Sequence, residues 1–361
     1  MALTEPPGDA RIAGLDGLRG IAVLLVIAFH AQRVLAERVV VVPLEMGWCG
    51  VDLFFVLSGF LITGILRRTR EQPHYWRNFA VRRALRILPV YYLLLVLILG
   101  TRAIAGDVGD APWWIYPTFV SNFWVGLHGG RDLALDITWS LSVEEQFYVA
   151  WPLVVWVLDR RALTGWCATL ILVAPIFRLL LHDPANEVSY QWTPCRIDSL
   201  AWGALACLAR EGGADGLRRA FGTFGTAAVG PVAFALALAG DVRPSLAFAV
   251  AGYTVLNAVF AGLVLAIADR RWPAVVAALQ WRPLAHLGTV SYGAYLLHPV
   301  WIVALAGRGL PWVVGVALAI AATWASATLS WRTIERPILQ TKGILAPYAP
   351  VSRATRDGGS G

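Results

Sequence analysis

The sequence predicts an all-α polytopic membrane protein: a bundle of about ten transmembrane helices with both termini cytoplasmic. Three observations point there. Of 361 residues, 58% are hydrophobic and 15% charged, where a soluble domain has roughly 25% charged. Mean hydropathy is +0.62, a surplus of apolar side chain too large for one aqueous core. Long apolar runs also recur along the chain, with arginines gathered in the short gaps between them. A net charge of +7 would suit nucleic acid, but its placement argues otherwise. Lys342 is the single lysine among 30 basic residues, and the arginines sit where the positive-inside rule wants them.

The first span, 17–36, carries Arg19 and lacks a small-x-small cleavage site, so it should stay as a helix. The second, 49–67, has Asp52 near its start and arginines at its end. The third, 84–104, is entered through an arginine-rich gap, and the fourth, 144–158, follows a polar run. The fifth is 163–181. The sixth, 197–209, is short for the roughly 20 residues a spanning helix needs. It should begin earlier, near Tyr190, or else be tilted, broken or only partly embedded. The seventh and eighth run 223–240 and 245–268. The ninth, 284–306, holds Gly288, Gly293 and Pro299 and is expected to kink. The tenth is 311–331.

Loop charge tests this count. The gap after span two holds Arg67, Arg68, Arg70, Arg77, Arg82, Arg83 and Arg86. The later even gaps hold Arg160 and Arg161, then Arg210, Arg218 and Arg219, then Arg270, Arg271 and Arg282. About seven arginines fall in the odd gaps and about twenty-one on the other side. The gap from 105 to 137 carries Asp107, Asp110, Asp132 and Asp136. The even gaps and both termini therefore read as cytoplasmic. Residues 1–14 form a cytoplasmic segment, 15–337 the transmembrane domain and 338–361 a cytoplasmic tail. That tail's polar, Gly-rich "RATRDGGSG" reads as disordered. Tryptophans such as Trp113, Trp114 and Trp124 fit interfacial anchoring.

Cys49, Cys167, Cys195 and Cys207 make no CxxC or Cys/His spacing, so a zinc site is unsupported. Cys49 and Cys195 fall near the same extracytoplasmic face. Two unpaired thiols are favoured over a disulfide there.

Ionisable groups inside a membrane are costly and are functional candidates by default. Arg19 and His30 are eleven residues apart, three turns plus about 20°, so one helix face carries both, about 16.5 Å apart along the axis. A fixed cation suits phosphate and a neutral imidazole suits proton abstraction. The competing reading is a snorkelling arginine and a hydrogen-bonded core histidine. Arg83 and Arg86 are neighbours at i and i+3, and two adjacent guanidiniums could grip a polyphosphate. Ordinary positive-inside anchoring competes, and the pattern alone favours it. In "TWSLSVEEQFYVAWPL", Ser142 with Glu145 reads as a capping box. That reading leaves Ser140 and Glu144, four apart, unexplained. Asp52 lies in "GVDLFFVLSGFLIT" with Ser58 deeper. Arg196 and Asp198 lie in "RIDSLAWG" and could be a simple ion pair. Tyr292, Tyr295 and His298 lie in "SYGAYLLHP", and Glu335 and Arg336 in "TIERP".

Taken together, "LDGLRGIAVLLVIAFH", "GVDLFFVLSGFLIT", "RRALRILPVYY", "TWSLSVEEQFYVAWPL", "RIDSLAWGALA", "SYGAYLLHP" and "IERP" resemble, in this order, the membrane-bound acyltransferase-3 family. They reach from Leu15 to Pro337. The resemblance implies a ten-helix bundle in the bacterial cytoplasmic membrane. It implies transfer of acyl groups, often acetyl, from cytoplasmic acyl-CoA to a hydroxyl of a carbohydrate or glycoconjugate. The family's Arg-x10-His motif falls on Arg19 and His30, its Arg-x-x-Arg motif on Arg83 and Arg86, and its Ser-x3-Glu motif on Ser140 and Glu144. The chain looks like the stand-alone form, without an added extracytoplasmic esterase-like domain.

On that resemblance, acyl-CoA is expected as co-substrate, with no permanently bound cofactor and no metal. His30 is expected as general base. Arg83 and Arg86 should hold CoA phosphates, and Arg19 should bind phosphate or steady charge near the thioester. Glu144 should orient the acceptor or polarise His30. Ser140, Asp52, Arg196, Asp198, Tyr295 and His298 are expected substrate contacts. Direct transfer is preferred to an acyl-serine. A transporter of a lipid-linked or small sugar is the alternative, and a non-catalytic membrane subunit is the third class. Acyl-CoA consumption by purified protein separates these readings.

Overall fold

The computed structural model describes residues 12–36, 41–107, 109–130, 132–212, 215–239 and 241–348. Among them there is no β-strand, and ten helices run fifteen residues or longer. They are α1 (Leu15–Leu35), α2 (Cys49–Thr69), α3 (Tyr75–Ala105), α4 (Thr138–Val157) and α5 (Arg160–Leu181), followed by α6 (Thr193–Glu211), α7 (Asp215–Ala239), α8 (Tyr253–Ala268), α9 (Ser291–Leu305) and α10 (Trp312–Ser330). Gly14 starts α1 from a left-handed conformation at φ 87° that a side chain would resist.

Six stretches are long and apolar enough to cross a membrane by length and composition: Leu15–Leu35, Met46–Thr69, Tyr75–Ala105, Arg160–Leu181, Phe248–Ala268 and Trp312–Leu345. The chain is a helical membrane protein on that ground. The expected spans at 144–158, 197–209, 223–240 and 284–306 are not among the six. α4 opens on Ser140, Ser142, Glu144, Glu145 and Gln146, α6 carries Arg196, Asp198, Arg210 and Glu211, and α9 is only 15 residues long.

Several boundaries differ from expectation for local reasons. α4 begins at Thr138, so Ser142 lies inside the helix and caps nothing. Its hydroxyl returns to the Thr138 carbonyl (3.1 Å) and meets Ser121 (2.9 Å). α6 starts at Thr193 behind a short turn, Val188–Gln191, which gives the sixth segment a fuller length. The ninth segment breaks in two at Val290, between Arg282–Thr289 and α9. The expected disordered tail is helical through Arg336–Gln340 and Lys342–Leu345. Asn78 and Arg82 of α3 donate to the carbonyls of Pro347 and Ala346 (2.7 and 3.0 Å) and hold it. Residues 349–361, with the "RATRDGGSG" segment, and residues 1–11 lie outside the described residues.

α2 is central. In its apolar window 78% of residues are buried, against 28% in the windows of α3, α5 and α10. Those outer helices expose Val96, Ile104, Leu172 and Leu180, as a lipid-facing surface should. α2 and α6 cross at backbone contact. A Cβ on Gly59 would lie 2.0 Å from the Leu200 carbonyl oxygen, and one on Gly203 2.0 Å from that of Val56. Small residues at a crossing let helices pack without a water-driven force.

Behind this crossing lies a buried ionic core. Arg178 of α5 donates to both oxygens of Asp198 (3.0 and 2.9 Å), to the Cys195 carbonyl (2.6 Å) and to Thr254 (2.6 Å). Arg196 pairs with Asp52 of α2 (2.5 Å). All four charges have side-chain exposure of 0%. All four cysteines are buried free thiols, Cys49 and Cys195 included.

At the far end of α1, Asp241 accepts from Arg33 and Arg243 (2.7 Å each), and Arg33 also pairs with Glu45 (3.0 Å). Burial raises the Asp241 carboxyl's pKa, but hydrogen bonds and charge from Arg243 outweigh it and bring the group to about 2. The Arg243 guanidinium lies over the Phe29 ring (5.2 Å), beside His30.

Candidate active site

A cavity opens between α1, α2, α3, α4 and α9. The helical spacings seen in the sequence determine what reaches it. Arg83 and Arg86, i and i+3 on α3, both line it, and so does Arg19 of α1. Ser140, Glu144 and Tyr148 follow one another at steps of four on α4 and form another wall. Ser58 of α2 and Ser291, Tyr292 and Tyr295 of α9 add to the polar lining, with Phe54 and Phe55 supplying apolar surface. Convergent polar groups in an apolar pocket are the usual form of a small-molecule site.

Glu144 accepts from Ser58 (2.6 Å) and Tyr148 (3.1 Å). The Arg83 guanidinium lies over the Tyr148 ring (5.0 Å). Arg19 reaches Asp16 only loosely, at 3.8 Å. Among the described residues neither Arg83 nor Arg86 makes an ion pair with a carboxylate. Three cations therefore face one cavity with most of their donors unused. Such a wall is chemically suited to an anion, and guanidinium forks suit phosphate oxygens in particular.

His30 is not in the cavity wall, yet it is joined to it. Its Nδ1 stands 3.0 Å from Nε2 of His298, and His298 Nδ1 stands 2.6 Å from the Tyr295 carbonyl oxygen. The Tyr295 hydroxyl meets Ser140 (2.6 Å) and donates to the Ile137 carbonyl (3.0 Å). Tyr295 thus touches both groups, Ser140 through its hydroxyl and the His298–His30 pair through its backbone carbonyl. The contact made by His30 is with His298, whereas Glu144 turns to Ser58 and Tyr148.

The structure does not bring Asp52, Arg196 or Asp198 to the cavity. They belong to the buried ionic core, where each already has an opposite charge. Val51, Phe54 and Phe55 line the cavity, while Asp52 points from α2 toward α6 instead. Sequence reasoning noted Ser58 without a role and missed Tyr148. The four-residue step from Ser140 through Glu144 continues to Tyr148 and was the available signal. A second cavity, with Arg68, Arg210 and Arg218 in its wall, shares Leu61 with the first.

A family model described as an acyltransferase domain matches residues 12–333. YrhL of Bacillus subtilis, named as a candidate peptidoglycan O-acetyltransferase, is 32% identical over 92% of this chain and 55% of its own length. The peptidoglycan O-acetyltransferase OatA of Listeria monocytogenes is 29% identical over 91% of this chain and 56% of its own. Proteins of Staphylococcus aureus named as candidate O-acetyltransferases are 33% identical over about half of this chain, 54% in one case. The chain spans a little over half the length of the first two relatives. No solved structure matches.

Proposed function

The chain belongs to the membrane-bound acyltransferase-3 family, and from that premise we propose that it moves an acyl group, acetyl first of all, from acyl-CoA to a hydroxyl of a cell-envelope carbohydrate. The observation that carries this reading is the cavity wall of Arg19, Arg83 and Arg86 facing Ser140 and Glu144. Acyl-CoA presents several phosphates to such a wall and has a flexible arm that can carry its thioester deeper. Relatives named for peptidoglycan O-acetylation favour a glycan acceptor and make peptidoglycan the first to test. Ten crossings of the bacterial cytoplasmic membrane with both termini inside belong to the same proposal. The arginine distribution supports them.

In this mechanism Arg83 and Arg86 hold phosphate, and Arg19 steadies charge nearer the thioester. Glu144, tied to Ser58 and Tyr148, orients the incoming group. His30 removes the acceptor's hydroxyl proton as its oxygen attacks the thioester carbonyl. A carbon–oxygen bond forms, the carbon–sulfur bond breaks, and the proton passes from His30 to the departing thiolate. General-base help of this kind contributes roughly 10²–10⁴-fold. The test is purified protein in lipid nanodiscs with labelled acetyl-CoA and peptidoglycan fragments. Mass spectrometry should find an added acetyl group and an equal amount of free CoA. Movement of a sugar across the bilayer with no acetyl-CoA consumed would favour a transporter instead.

A further inference from the structure

We propose that His298 is a positioning residue that fixes the tautomer of His30 and so makes its Nε2 the basic atom. The inference rests on the reading of His30 as general base, but its geometry stands apart from any substrate. A backbone carbonyl can only accept a hydrogen bond. The 2.6 Å contact from His298 Nδ1 to the Tyr295 carbonyl therefore requires the proton on Nδ1. In the uncharged ring, His298 Nε2 then holds a lone pair. That atom stands 3.0 Å from Nδ1 of His30, so the shared hydrogen belongs to His30 Nδ1. In an uncharged His30 the lone pair consequently falls on Nε2, which makes no hydrogen bond among the described residues. The two rings lie near parallel, at 21°, with centroids 5.1 Å apart, and the facing nitrogens are within hydrogen-bond distance. His298 has 0% exposure, so no solvent competes for its nitrogens.

The order is carbonyl, His298, His30, substrate. It has the logic of a catalytic triad, in which a buried acceptor holds the base's Nδ1–H and stabilises the imidazolium that forms. Tyr295 links the same unit to the cavity, because its hydroxyl meets Ser140 while its carbonyl holds His298.

The decisive experiment is nitrogen NMR on ¹⁵N-histidine-labelled protein in nanodiscs, with His30 assigned by comparison with His30→Gln. The expected spectrum has the proton of neutral His30 on Nδ1. A proton on Nε2 would overturn the proposal. In His298→Ala, kcat should fall roughly 10²-fold or more at unchanged KM for acetyl-CoA, since a wrong tautomer in a serine-protease triad costs on the order of 10⁴-fold. His298→Gln places a carbonyl oxygen near the lost Nε2 and should restore much of the rate, within roughly tenfold of wild type. Equal loss in the Ala and Gln variants, or full activity in Ala, would contradict the assignment. If His298→Ala does not fold, the wild-type spectrum still decides. A Nδ1–H spectrum together with an active His30→Gln enzyme would retain the tautomer and reject His30 as base, so the two claims fail separately.

Discussion

Replacing Arg178 by methionine separates a structural ionic core from a substrate site. Arg178 donates to both Asp198 oxygens, to the Cys195 carbonyl and to Thr254, all at 2.6–3.0 Å, and neither charge is exposed. The variant removes the cation and leaves Asp198 fully buried, with the Thr254 hydroxyl still donating to it (2.9 Å). Breaking a buried pair from one side costs about 3–5 kcal/mol, because the surviving charge loses its compensation. At about 2 °C per kcal/mol, the melting temperature should fall roughly 6–10 °C. The double variant Arg178→Met with Asp198→Leu removes both charges and should recover most of that loss, to within about 1–2 kcal/mol of wild type. The assay is thermal unfolding of the purified protein in detergent, with acetyl-CoA affinity measured on the folded fraction. If Arg178→Met melted like wild type, or the double variant were worse than the single, the ionic core would not be structural. A selective loss of acetyl-CoA affinity at unchanged stability would return Asp198 to the substrate site.

Arg83→Gln and Arg86→Gln should each raise KM for acetyl-CoA about 10–100-fold with little change in kcat, from a charge-assisted bond worth about 1.5–3 kcal/mol; steady-state kinetics checks this. Gly59→Ala drives a methyl to 2.0 Å from the Leu200 carbonyl oxygen and should destabilise by about 1–3 kcal/mol. Gly100→Ala, with open space around it, should be neutral or stabilising in the same melting assay. The Asp241 carboxyl sits at about 2 in the folded protein, below its ordinary value near ~3.9. Its contribution is therefore present above that ordinary value and lost as pH falls toward 2. The melting difference between wild type and Asp241→Asn should be constant from pH 5 to 8 and shrink below about pH 4.

Periodicity within one helix made the candidate site partly readable from sequence. Arg83 and Arg86 share a wall because i and i+3 share a face, and Ser140 with Glu144 follows the same rule at i+4. Contacts between distant helices have no such local signal. His30 meets His298 across 268 positions, and Asp52 meets Arg196 across 144. The buried ion pairs read as substrate contacts because a charge in an apolar run looks the same whether its partner is a ligand or another helix. The polar entry to α4 was read one turn too late, since Ser142 and Glu145 imitate a capping box. The helix instead continues back to Thr138, where Ser121 and the Ile137 turn satisfy the early hydroxyls. Of the helices that line the cavity, α1, α2 and α3 are long and apolar enough to read as spans, whereas α4 and α9 are not.

The remaining measurement is acetyl transfer by wild type and His30→Ala, side by side in nanodiscs, with acetyl-CoA affinity determined for both. The expected result is transfer reduced by at least roughly 10²-fold in the variant, with acetyl-CoA bound as tightly as before, because the arginine wall is untouched. Full transfer by His30→Ala would contradict the assignment of His30 as the base.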